Sequence, residues 1–149
     1  MDLLHIPSLV VWMPFLLLVV LLLRGTRAKK VFGIPWYVLF IGGDIGRRKA
    51  YIIKKSILKG APDALFFDVF KWRYIVCEFK SRTSYYPPTK IELNQCLLYM
   101  GVVNKFYHAA PICVLCYGNG QRHCIAFNKY EFRRMYKQRY ELLKVINKF

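Results

Sequence analysis

Hydrophobic positions along this chain change character three times. From Ile6 to Leu23 they run almost unbroken, with only Pro7, Ser8 and Pro14 interrupting and no charge at all. At about 1.5 Å per residue the run spans roughly 27 Å, the reach of a bilayer core, so it predicts a transmembrane helix. Past it the apolar runs shorten to strand length. Residues 62–70 and 73–80, joined by a turn near Lys71, predict two strands, and 112–117 and 122–127, joined by Gly118-Asn119-Gly120, predict a hairpin. Between these pairs the spacing turns helical. Pro87-Pro88 breaks the chain, and Thr89-Lys90-Ile91-Glu92 has the form of a capping box that starts a helix from Lys90 to Val103 with apolar residues on both faces. Asn128, three residues before Glu131, starts a last helix running close to Phe149. Its Phe132, Met135, Tyr136, Leu143 and Ile146 form a stripe opposite Arg133, Arg134, Lys137, Lys144 and Lys148.

The stretch between Arg24 and Gly60 is less decisive. Val31–Ile41 is apolar but broken by Gly33 and Pro35, which suits a first strand or a docking loop better than a second span. Gly42-Gly43-Asp44-Ile45-Gly46 reads as a turn. Tyr51, Ile52, Ile53, Ile57 and Leu58, set among Lys54, Lys55 and Lys59, fit a short basic helix or an edge strand equally well.

Length and charge narrow the function. With 149 residues the chain holds one domain and an appendage. We divide it into an anchor over 1–24, a basic juxtamembrane segment with a first strand or loop over 25–43, and a folded body over 44–149. Asp2 and His5 precede the apolar run in place of Lys or Arg, and no small-residue cleavage site follows, which favours a retained anchor over a signal peptide. Arg24, Arg27, Lys29 and Lys30 follow it directly, and the positive-inside rule places a single-pass protein's body in the cytoplasm. Lys and Arg total 24 against 8 Asp and Glu, a formal charge of +16 that favours nucleic acid or anionic membrane lipid as partner. The five cysteines lack a regular spacing and sit among apolar residues, so they read as small buried hydrophobes in a reducing compartment. Cys113 and Cys116 are three apart in a strand and would face opposite sides. His108 and His123 have no ligand spacing.

The chemistry concentrates in residues 60–82. Asp63 stands near the start of one strand, and Glu78 and Lys80 near the end of the next, on one face because strand side chains alternate. Two carboxylates from neighbouring strands suit a magnesium-sized cation, and a lysine beside them can orient a water. The plainer reading makes Asp63 a turn cap after Pro62 and Glu78–Lys80 a surface ion pair. An acid inside the apolar run Tyr74–Phe79 is costly without a partner, which weighs against it. Asp68 reads as a solvent-side residue near the turn. Gln95 and Tyr99 are the polar exceptions on the following helix and share a face at i, i+4.

Pro62-Asp63, Glu78-Phe79-Lys80-Ser81 and Gln95-x-x-x-Tyr99, in that order and in those elements, resemble the signature of the PD-(D/E)XK nuclease superfamily. The last motif is similar to that of its RecB-like branch, which includes the CRISPR-associated exonucleases. Archaeal Holliday-junction resolvases carry a similar Pro-Asp and Glu-x-Lys-Ser run. The resemblance implies an α/β, restriction-endonuclease-like mixed sheet flanked by helices, here joined to the transmembrane helix. It implies a deoxyribonuclease in which Asp63, Glu78 and the main-chain carbonyl of Phe79 hold Mg2+ or Mn2+. Lys80 would position the attacking water, and Gln95 and Tyr99 would orient the site or touch the DNA backbone. Asp44 would correspond to an acid that many RecB-like members carry upstream. Arg82, Lys90, Lys54 and Lys55 are the candidate DNA-binding cations. Iron–sulfur members use one cysteine ahead of the core, and none precedes Cys77, so no cluster is expected. With no motor domain, a helicase or other DNA-processing partner is implied for processive work, and a homo-oligomer is left open. The alternative is an inactive nuclease-like fold serving as a membrane-tethered DNA-binding or assembly module.

Overall fold

In a computed structural model the chain is described over residues 8–45, 50–84 and 87–146. Two helices come first, α1 (Ser8–Leu23) and α2 (Thr26–Phe32), then strand β1 (Leu39–Gly43) and the short strands β2 (Ile53–Lys55) and β3 (Leu58–Gly60). Strands β4 (Ala64–Asp68) and β5 (Arg73–Lys80) lead to helix α3 (Lys90–Val103). Strands β6 (Ile112–Tyr117) and β7 (Arg122–Ala126) and helix α4 (Lys129–Ile146) complete the order.

Five strands make one mixed sheet in the order β1-β4-β5-β6-β7, while β2 and β3 pair as a separate hairpin. β5 and β6 run parallel, and the other neighbours run antiparallel. A parallel pair needs a crossover, and α3 supplies it. Strand alternation sends Leu65, Val76, Cys113 and Leu115 to one face, where they bury Cys96, Leu97 and Met100 of α3. The opposite parity, Ala64, Phe66, Ile75, Cys77, Val114 and Cys116, packs under Ala28 and Phe32 of α2 and the loop residues Ile34 and Val38. The result is an α/β body with helices on both sides of a mixed sheet. Cys113 and Cys116 lie in different layers, as their odd spacing requires.

The caps behave as the local sequence dictates. The Thr89 hydroxyl accepts from the Glu92 N–H at 3.3 Å while the Glu92 carboxylate accepts from the Thr89 N–H at 2.8 Å. The Asn128 side-chain oxygen accepts the N–H groups of Tyr130 and Glu131 and begins α4.

Several expectations are corrected. No helix among the described residues is long and apolar enough to cross a membrane. The single-pass anchor and the cytoplasmic localisation drawn from it therefore fall. Over the described residues the reason is length: α1 (Ser8–Leu23) has 16 residues, so at about 1.5 Å each it reaches roughly 24 Å against a bilayer core of about 30 Å. Ile6 and Pro7, counted in the expected span, lie outside the described residues. The cations behind α1 also serve another purpose. Lys29 is buried in α2, and its Nζ donates to the carbonyl oxygens of Leu22 and Trp36, both at 2.6 Å, closing the C-terminal end of α1. Burial lowers its pKa below the ordinary lysine range. Of the first strand or loop expected over 25–43, the strand is found as the edge strand β1 (Leu39–Gly43), while the basic residues before it form the helix α2.

Of the helix and the strand left open for residues 53–60, the structure shows strands, paired as a separate hairpin with Lys54 opposite Lys59. Asp68 is buried, 3% exposed, and its Oδ1 accepts the N–H groups of Phe70 and Lys71, each at 3.1 Å, holding the β4–β5 turn. Cys124, on the outer strand β7, is exposed while the other four cysteines are buried. The α4 stripe packs through Phe132 and Met135, but Ile146 at its end is exposed. Lys148, expected on the polar side of the last helix, lies outside the described residues, as do the basic residues Arg47, Arg48 and Lys49.

Candidate active site

Sheet register brings the acids together. Ala64 pairs with Cys77, so Asp63, one residue before β4, stands across from Glu78 near the end of β5. The Asp63 Oδ2 accepts the Phe79 N–H at 2.6 Å and locks the two strand ends. Gly43 at the end of β1 lies so near the Asp63 carbonyl that a Cβ there would overlap it, and the Asp44 N–H donates to that same oxygen at 3.1 Å. Glu78 shares the parity of Val76 and therefore faces α3. One helical turn separates Gln95 from Tyr99, and α3 presents both toward the strand ends.

The polar groups there form one network. Gln95 Nε2 donates to Glu78 Oε1 at 2.6 Å and to the Tyr99 hydroxyl at 3.1 Å. Lys80 Nζ donates to the same Glu78 oxygen at 3.1 Å and to Gln95 Oε1 at 2.9 Å. Gln95 thereby ties lysine to carboxylate. Gly60 makes room for this, since a Cβ on it would strike the Tyr99 ring. Burial raises the Glu78 carboxyl above its ordinary range and the charge of Asp63 adds to it, against the opposing pull of Lys80. Burial likewise raises Asp63, opposed by the Phe79 N–H and reinforced by the charge of Asp44. Tyr99 is raised by burial as well.

Two carboxylates that repel each other while one lysine partly offsets them are short of positive charge. Glu78 Oε2 is buried and has no hydrogen-bond partner, so one strong acceptor is left over. Oxygen donors of this kind fit a hard divalent cation. Among the described residues no three Asp, Glu, His or Cys side chains converge as a metal-binding group. Of the donors the resemblance names, Asp63 and Glu78 stand across the β4–β5 pair from each other. Asp44 is exposed and acts on Asp63 through its charge and its N–H.

The candidate DNA-binding cations divide. Arg82 is engaged within the fold: its Nη2 donates to Glu92 Oε2 and to the Tyr117 hydroxyl, both at 2.9 Å, with the guanidinium over the Tyr117 ring. Lys55 Nζ donates to the carbonyls of Gly101 and Asn104 and closes the C-terminal end of α3. Lys54 and Lys90 are exposed.

Sequence reading missed a cavity of about 430 Å³ that adjoins this cluster through Gln95 and Tyr99. Its walls come from β3, α3 and Arg139 of α4. A signal was present: Arg139 lies seven residues after Phe132 and four after Met135, at the phase of the packing stripe, where an arginine is out of place. Comparison of the chain with protein-family models, with curated proteins and with solved structures finds no match.

Proposed function

We propose that this chain is a metal-dependent deoxyribonuclease of the PD-(D/E)XK type, with Asp63, Glu78 and the Phe79 carbonyl as the metal-binding oxygens. The observation that carries the reading is the network itself: a buried glutamate with one oxygen unpartnered, a second acid across the strand pair, and a lysine held at 3.1 Å by the same glutamate. An isolated surface ion pair would need neither the burial nor the second acid. When bound, Mg2+ or Mn2+ would supply Lewis-acid polarisation of the phosphate and a more acidic water.

The chain's own residues do the positioning. Lys80, fixed by Glu78 and Gln95, directs its ammonium protons at the attacking water and at the charge that develops on the phosphate. Gln95 keeps Lys80 and Glu78 in register, and Tyr99 keeps Gln95. One water is consumed per bond: its oxygen joins phosphorus, one ester oxygen leaves, and a proton ends on the released alcohol. The excess of 24 basic over 8 acidic residues supports a polyanionic substrate.

The test is cleavage of labelled linear, circular and single-stranded DNA by the full chain in Mg2+ or Mn2+, beside Asp63→Ala and Lys80→Ala. Wild type cuts and is stopped by chelation, while Lys80→Ala slows cutting by about a hundredfold or more. If all three proteins are equally inert but bind DNA with steep salt dependence, the chain is a DNA-binding module and the nuclease reading is lost.

A further inference from the structure

We infer that the cavity beside Gln95 and Tyr99 is a subsite for one unpaired nucleobase of the substrate strand, with Lys59 and Arg139 holding the phosphates that flank it. The inference rests on the nuclease reading of the adjoining carboxylates and names what that site selects. Continuity comes first: Gln95 and Tyr99 belong both to the carboxylate–lysine network and to the cavity wall, so the occupant is part of whatever lies on Glu78 and Lys80. Wall chemistry comes second. Leu58, Leu98 and Val102 supply apolar surface and Tyr99 an aromatic one, which suits a flat ring and not a hydrated phosphate or sugar. Charge comes third. Lys59 and Arg139 line the cavity and are exposed, so cations border an apolar hole.

Size decides which form of DNA enters. At about 430 Å³ the space lies within the range of small-molecule sites and has room for a nucleobase. A base inside a duplex is stacked on two neighbours and cannot enter a concavity without leaving the stack. The strand that reaches Glu78 and Lys80 therefore presents an unpaired base one side of the scissile phosphate, as single strands, frayed ends and flaps do.

The experiment reads binding and cutting separately. The full chain, free of divalent metal, is titrated by fluorescence anisotropy into a short labelled single strand, into the matching blunt duplex, and into single strands in which one abasic position is moved step by step. Expected is a loss of about tenfold in affinity at one abasic position and little elsewhere, with the duplex also weaker. Leu98→Trp, which fills the cavity, erases that positional difference. Arg139→Glu, a change on the exposed side of α4, weakens the intact strand and reduces its salt dependence even if Leu98→Trp does not fold. Uniform affinity across all abasic positions in wild type overturns the subsite, as does a Leu98→Trp protein that keeps the positional loss. Metal-dependent cutting without positional dependence removes the subsite and leaves the nuclease. Positional dependence without cutting keeps the subsite and removes the nuclease.

Discussion

Replacement of Glu78 by glutamine tests the site most directly. The amide oxygen can keep the hydrogen bonds from Gln95 and Lys80 that now converge on Oε1. The amide nitrogen takes the place of Oε2, the buried atom without a partner, and turns an acceptor into a donor that no cation tolerates. Thermal unfolding with and without Mn2+ reads the consequence. At a hundred times its Kd, a ligand bound to the folded chain alone adds about 2.7 kcal/mol, or roughly 5–10 °C in a domain of this size. Wild type should gain such a shift at neutral pH and Glu78→Gln should lose most of it. The pH dependence follows from the raised carboxyls of Glu78 and Asp63. A carboxyl whose folded pKa lies above its unfolded value contributes stability that is fully present below the unfolded value, about 4, and lost as pH rises through the folded one. Metal-free wild type is therefore penalised toward neutral pH, and Glu78→Gln is spared its share. Conversely, the Mn2+ shift shrinks as pH falls through the raised range, because protons then compete for the same oxygens. A wild type that millimolar Mn2+ leaves unchanged at neutral pH, or a variant with an equal shift, would refute the metal site.

Three other outcomes are expected. Asp68→Ala strands two turn N–H groups and costs about 2 kcal/mol in urea unfolding, while Asp68→Asn recovers most of it; a cost under about 0.5 kcal/mol would show the turn holds without them. Arg82→Ala lowers the melting temperature and leaves the salt slope of DNA binding intact, whereas Lys54→Ala lowers that slope by about 1 and leaves melting intact. The reverse pattern would make Arg82 the phosphate contact. A thiol reagent labels Cys124 in the native chain and all five cysteines only after denaturation, since burial also raises the Cys77 thiol; early reaction of a second cysteine would contradict the packing.

Much of the fold was legible because its signals are short-range. The Thr89–Glu92 box begins α3 at Lys90 as expected, and strand β6 occupies 112–117 as expected. The alternation that put Glu78 with Lys80, and the helical turn that put Gln95 with Tyr99, both appear as hydrogen bonds. The anchor is not supported because α1, described over Ser8–Leu23, is shorter than a span requires, and an apolar run in the sequence does not by itself report helix length.

Local pattern thus determined the elements from residue 62 onward, the faces of their strands and the identity of the acids and lysine in the cluster. Tertiary structure alone decided what each charge is for. Lys55 reaches carbonyls 46 and 49 residues away, and Arg82 a hydroxyl 35 residues away, so each ties distant parts of the fold together, which its position in the chain does not suggest. The cavity under Tyr99 exists only because Gly60, α3 and Arg139 meet across the fold. Periodicity is a relation among residues a few positions apart. The partner of a buried charge is set by sheet register and by the α3 crossover, which no run of neighbours records.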